Sequence, residues 1–250
     1  MSPRVPAAWP YPRWIAHRGA GRLAPENTLA AFRLGAEHGF RMFECDAKLS
    51  ADGVPFLLHD ATLERTTNGQ GTAGDKPWDE LSRLDAGGWH SRAYAGEPVA
   101  TLAGIARFCQ ANGLLLNIEI KPTPGTAAAT GAAVADAAAA LWAGQLVPPL
   151  LTSFEVDALQ AAQAAQPTLP RGLLLDALSA GWEQAAQGLA CQVLVCRHSL
   201  WTDGLVQRAQ ALGLRMASYT VNDQAEAQRL RALGEHTVIT DRVDLFAPSR

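Results

Sequence analysis

Short apolar runs recur along the chain, separated by stretches whose apolar residues fall at helical spacing. Trp14-Ile15-Ala16, residues 42–46, 114–120, 150–153, 172–175, 193–195, 214–220 and 237–240 read as buried strands. Leu29, Phe32 and Ala36 predict a helix that Asn27 or Thr28 can cap and Gly39 ends. Ile105, Phe108 and Cys109 predict a helix after Thr101, an alanine-rich helix runs through Trp142, and residues 155–165 carry another. About eight strands alternating with helices is the number that closes a TIM (β/α)8 barrel of α/β class. An open doubly wound sheet is the alternative, but it calls for a glycine fingerprint after the first strand, and Gly19-Ala20-Gly21 lacks the third glycine.

Two stretches depart from this rhythm. After the Asp52-Gly53 turn, residues 54–58 run back as an extended segment that stops at His59-Asp60. Residues 61–99 are rich in Gly, Thr and Asp, with Trp78, Leu81, Leu84 and Trp89 as apolar anchors. A loop this long inside a compact domain carries its own small structure or a function. The expectation is one catalytic domain over 1–250, with a small insertion after the second strand, 61–99, that caps one end.

The strand Met42-Phe43-Glu44-Cys45-Asp46 holds two acids one residue apart in an apolar run. Positions i and i+2 of a strand share a face, so both carboxylates project together. Like charges on one buried face need a shared proton, a cation or ion pairs, for which Arg41 and Lys48 are the nearest candidates. Glu119 and Lys121 repeat the spacing on a later strand, where an internal Glu–Lys pair is the simpler alternative. Three inward acids against one arginine and one lysine still leave a charge short, and oxygen ligands without thiolate or imidazole suit one hard divalent cation, Mg2+ or Ca2+. His17 and Arg18 end the first strand and His59 ends the returning segment, so two imidazoles flank the acids and can exchange protons near neutral pH. His38, His90, His198 and His236 lack this company and are assigned structural places. Arg18 and Lys121 suit a phosphate, the first through a bidentate fork and the second as a point charge. Together these groups describe phosphodiester cleavage.

The bulk properties exclude other classes. With 48% hydrophobic and 18% charged residues among 250, the chain has the makeup of a globular enzyme. A net charge of -3 gives no reason to expect nucleic acid. Residues 1–12 have no apolar core of signal-peptide length, no run is apolar enough to span a bilayer, and Cys45, Cys109, Cys191 and Cys196 show neither disulfide density nor metal spacing. A cytoplasmic address with free thiols is expected; nothing in the pattern specifies an oligomeric state.

The order of these residues resembles the glycerophosphodiester phosphodiesterase family over nearly the whole chain. The likeness rests on His17-Arg18-Gly19, Pro25-Glu26-Asn27-Thr28, Glu44-x-Asp46, His59-Asp60 and Glu119-x-Lys121. It extends through residues 65–69 and 84–89, Ser153-Phe154, Thr220-Val221-Asn222 and Thr240-Asp241. The resemblance implies a barrel with an inserted cap that hydrolyses small-molecule glycerophosphodiesters to sn-glycerol 3-phosphate and an alcohol. It implies a divalent metal on Glu44, Asp46 and Glu119, with His17 and His59 as the acid–base pair. Arg18 and Lys121 would hold the phosphate, and Phe154 and Tyr219 would line the substrate wall. Tyr219 stands where many relatives carry tryptophan, and Ala100 replaces a usual proline. Competing readings are a phospholipase-type phosphodiesterase on intact lipids, a Schiff-base enzyme using Lys121, and a non-catalytic phosphodiester-binding barrel.

Overall fold

The computed structural model describes residues 9–234 and 236–246. Most of the proline-bearing start, residues 1–8, lies outside them, as does the side chain of His236. Eight parallel strands form a closed ring: β1 (Trp14–Ala16), β2 (Met42–Leu49), β4 (Leu115–Ile120), β5 (Leu150–Ser153), β6 (Arg171–Leu175), β7 (Val193–Arg197), β8 (Arg215–Tyr219) and β9 (His236–Thr240). Ala16 pairs with Phe43 on one side and Thr240 on the other, which shuts the ring. The returning segment is β3 (Pro55–Leu57), antiparallel to β2 and outside the ring. The fold is the TIM barrel that strand count implied.

Helices α1 (Leu29–Glu37), α3 (Leu102–Ala111), α4 (Ala127–Leu141), α5 (Val156–Ala165), α6 (Trp182–Gly188), α7 (Asp203–Ala211) and α8 (Gln224–Leu233) alternate with the strands; a single turn, α2 (Trp78–Leu81), lies in the 61–99 segment. Thr28, Thr101, Thr202 and Asp223 accept a hydrogen bond from a main-chain N–H in the first turn of α1, α3, α7 and α8 respectively, satisfying a donor that would otherwise be left bare. Asn27, the other cap candidate, instead adopts φ +61° and turns its amide to the barrel mouth.

Strand alternation sorts the core into two layers. Phe43, Cys45 and Ala47 of β2 face the helices and join Phe32, Ile105 and Ile118. Met42, on the opposite face, packs inside the barrel with Ile15, Leu150, Leu174, Val193 and Ile239. Along that inner face β2 continues to Glu44, Asp46 and Lys48, all buried. One strand therefore changes from apolar floor to charged mouth.

Residues 61–99 hold α2, 3-10 turns at Ala73–Asp75 and Arg92–Tyr94, and bridges Thr62↔Thr72 and Asp85↔Pro98. They pack on their own cluster of Phe56, Leu58, Leu63, Leu81 and Val99, with Trp78 and Leu84 at its edge.

The alanine-rich α4 lies so close to α5 that a β-carbon on Gly131 would strike the Ala158 backbone. Gly131→Val is expected to lower the unfolding free energy in urea by about 1–3 kcal/mol through overpacking. An unchanged midpoint would contradict the close approach.

Candidate active site

The register Asp46↔Glu119 places acids of adjacent strands side by side at the carboxyl end of the barrel. Glu44 and Asp46 are 2% and 1% exposed and Glu119 8%. Each offers one oxygen, and the three oxygens lie within 4.8 Å of one another. Glu44 Oε1 and Asp46 Oδ1 are buried and accept no hydrogen bond from the described residues. Burial, then the charges of Asp46 and Glu119, push the Glu44 carboxyl well above the usual range. Glu119 is also raised, by burial first and Asp46 second. For Asp46 burial works in the same direction, but Arg18, His59, Lys121 and the Asn27 amide hold it low. Three carboxylates this close, with a bare buried oxygen on Glu44 and another on Asp46, fit one divalent cation.

Arg18 and Lys121 border the acids. Arg18 Nε lies 3.1 Å from Asp46 Oδ2, and the Arg18 main-chain N–H donates to Glu44 Oε2 at 3.1 Å. That geometry holds Arg18 at φ +50°, a left-handed conformation uncommon outside glycine. Lys121 Nζ donates to Glu119 Oε1 at 2.7 Å and lies 3.9 Å from Asp46 Oδ1. The internal Glu–Lys pair named as the simpler alternative thus forms, within the convergence of all three acids. Glu119 and Asp46 raise the Lys121 pKa against its burial, the opposite of what a Schiff-base lysine requires. Lys48 does not pair with the acids: its Nζ donates to the Lys121 carbonyl at 2.9 Å, and burial lowers it to about 8. Arg41 sits at the other end of β2, beside Tyr11 and Pro12. Neither residue supplies the compensation suggested for it from sequence.

His17 and His59 stand on either side. His17 Nδ1 meets Asp241 Oδ1 at 2.6 Å, and its Nε2 lies 3.8 Å from Glu44 Oε2. His59 Nδ1 meets Asp60 Oδ1 at 2.7 Å. A carboxylate on Nδ1 fixes each ring and leaves Nε2 for another partner. Burial, with Arg18 and Lys121, lowers the His59 pKa, although Asp46 and Asp60 oppose this.

Two adjoining cavities open here. One of about 160 Å3 is lined by His17, Arg18, Glu44, Tyr219 and Thr220; the other, of about 390 Å3, by Lys48, Asp60, Pro122, Pro124 and Glu155. His59, Glu119, Lys121 and Phe154 border both. Phe154 meets the Tyr219 ring edge-on at 5.7 Å, and Tyr219 donates to the Leu175 carbonyl.

A model of the glycerophosphoryl diester phosphodiesterase family matches residues 17–245. The chain belongs to this family. It is 31% identical over 232 residues to a glycerophosphodiester phosphodiesterase of Caldanaerobacter subterraneus, covering 91% of this chain and 93% of that protein. Among solved structures, it resembles an Oleispira antarctica phosphodiesterase in complex with the product sn-glycerol-3-phosphate, at TM-score 0.84 and 33% identity over 92% of this chain and 93% of that one. It also resembles a glycerophosphodiester phosphodiesterase of Agrobacterium tumefaciens, at TM-score 0.80 and 30% identity over 95% and 99% of the two chains.

In this member of the phosphodiesterase family, the nine residues singled out from sequence all reach the mouth: His17, Arg18, Glu44, Asp46, His59, Glu119, Lys121, Phe154 and Tyr219. Apart from helix capping for Asn27, sequence reasoning assigned no role to the residues that hold them. Asn27 brackets Asp46, its Nδ2 donating to Oδ2 at 2.8 Å and its Oδ1 accepting the Asp46 N–H at 3.1 Å. Asn222 Nδ2 donates to Asp241 Oδ2 at 2.8 Å. The Asp60 role was signalled by its place beside His59, whereas Asp241 reaches His17 only because the Ala16↔Thr240 register closes the ring. Two of the histidines left structural have partners away from the site: His198 pairs with Glu226 at 2.6 Å, and His90 Nε2 lies 3.1 Å from the Arg22 carbonyl.

Burial works to raise the Asp241 pKa, but the His17 bond and charge, Asn222 and Arg22 hold it at about 2, below its ordinary 3.8. A depressed folded-state pKa means stability fully present above pH 3.8 and lost as pH falls toward about 2. The stability gap between wild type and Asp241→Asn is therefore expected to shrink over that window in urea titrations. At neutral pH the same variant should lose about 10-fold to 100-fold in turnover, since the His17 ring loses its orienting partner. Wild-type rates in Asp241→Asn would show that the contact does not serve catalysis.

Proposed function

We propose that this enzyme hydrolyses glycerophosphodiesters, such as glycerophosphocholine or glycerophosphoethanolamine, to sn-glycerol 3-phosphate and an alcohol. His17 and His59 transfer the protons, and Glu44, Asp46 and Glu119 hold Mg2+ or Ca2+. The observation that carries this reading is the position of two carboxylate-anchored imidazoles around three buried acids and two cations, where two cavities share a wall. A substrate with a phosphate at that wall would place its glycerol on one side and its alcohol on the other. The product complex of the Oleispira relative supports the glycerol 3-phosphate half.

Arg18 and Lys121 hold the non-bridging phosphate oxygens, and charge-assisted hydrogen bonds orient the group. Phe154 and Tyr219 form the apolar wall beside it. One imidazole removes a proton from the nucleophile, either water or a glycerol hydroxyl; in the second case a cyclic phosphate forms and water then opens it to glycerol 3-phosphate. The other gives a proton to the alcohol oxygen as its bond to phosphorus breaks, so that no bare alkoxide leaves. Held by Glu44, Asp46 and Glu119, a divalent cation would offset the crowded carboxylates and supply Lewis-acid polarisation of the phosphate. The segment 61–99 serves as a cap of the single catalytic domain. The four cysteines, all free, support a reducing, cytoplasmic address.

An assay coupling glycerol 3-phosphate release to its dehydrogenase tests the reaction. His17→Ala and His59→Ala are each expected to lose turnover by about 10²-fold or more while melting as wild type does. Full activity in either variant removes that histidine from the mechanism. Excess EDTA should stop release, and added Mg2+ or Ca2+ should restore it; an unchanged rate in EDTA would count against the metal.

A further inference from the structure

Arg65, from the 61–99 segment, reaches the barrel mouth with a contact pattern that the mechanism above leaves unexplained. Its Nε and Nη2 donate to Asp60 Oδ2 and Oδ1 at 2.6 and 3.0 Å. Its Nη1 and Nη2 donate to Glu26 Oε2 and Oε1 at 2.8 and 2.7 Å. Each carboxylate also has a second partner. Glu26 Oε1 accepts from Arg18 Nη1 at 2.9 Å, and Asp60 Oδ1 meets His59 Nδ1 at 2.7 Å. One guanidinium thus joins two acids, one holding the arginine assigned to phosphate and the other the histidine assigned to proton transfer.

The Arg65 side chain is 43% exposed, so solvent screening discounts what its ion pairs add to stability. What a bidentate fork fixes is direction. Without it, Glu26 is free to offer both oxygens to Arg18 and draw that guanidinium off the cavity, while Asp60 is free to turn and let the His59 ring rotate. Lysine cannot replace the fork, because one ammonium does not present paired parallel donors to two carboxylates.

We propose that Arg65 is a positioning residue that aligns Arg18 through Glu26 and His59 through Asp60, so that the inserted segment sets phosphate grip and proton transfer together. This rests on the roles given to Arg18 and His59 above.

The test compares wild type, Arg65→Met, Arg65→Lys and Arg65→Gly on glycerophosphocholine, with kcat, KM and melting temperature measured for each. Met and Lys variants that melt close to wild type should both lose roughly 10-fold to 100-fold in kcat/KM, with KM raised and kcat lowered. Millimolar guanidinium ion should recover part of the loss in Arg65→Gly and leave the wild type unaffected. If Arg65→Met melts early, Arg65→Lys, which keeps the charge and most of the stem, decides alone. The proposal is overturned if Arg65→Lys keeps wild-type kcat and KM, if only KM moves, or if the losses follow melting temperature and guanidinium restores nothing. A wild type that releases no glycerol 3-phosphate would instead refute the proposed function, whereas variants as fast as an active wild type refute this positioning role alone.

Discussion

Mutual repulsion among three buried carboxylates is the constraint around which the mouth of this barrel is built. Strand alternation puts Glu44 and Asp46 on the inner face of β2, and the pairing of β2 with β4 brings Glu119 beside Asp46. Once these residues share a water-poor site, something must offset their charge. Arg18 and Lys121 do so in part, and the loop before α1 is shaped to help. Its Arg18 N–H points at Glu44, and its Asn27 amide clasps Asp46 at the cost of a left-handed backbone. Glycines make this loop feasible: a β-carbon on Gly21, at φ +57°, would run into the Asp241 backbone. The remaining negative charge is what makes the cluster receptive to a cation.

Around this centre the protein repeats one device. His17 leans on Asp241 and His59 on Asp60, while Arg18 leans on Glu26. Each of these three cavity-lining groups is held by a carboxylate. The acids come from separate parts of the chain: Asp241 follows β9, Asp60 follows β3, and Glu26 precedes α1. Such a shell lets a rigid ring of strands carry precise chemistry on loops.

The barrel was legible because its strands are apolar runs with clear helical spacing between them, and the mouth was legible because acids interrupt two of those runs at i and i+2. What could not be read was any contact that depends on ring closure or loop path. Asp241 lies 224 positions from His17 and reaches it through a register that only the closed sheet defines. Asn27 looked like a helix cap because asparagine commonly is one, yet Thr28 takes that place and Asn27 turns inward. Lys48 and Arg41 are near the acids along the chain, but Lys48, on the same strand face, donates to the Lys121 carbonyl, and the length of β2 leaves Arg41 at the far end. Proximity in sequence identified the chemistry; the partners that aim it come from tertiary pairing.

Anomalous diffraction from crystals equilibrated with saturating Ca2+ addresses the carboxylate cluster most directly. The account predicts one peak bounded by Glu44, Asp46 and Glu119, at about 2.3–2.6 Å from their oxygens. A map with no peak there, and Glu119 still held by Lys121 as its partner, would contradict it.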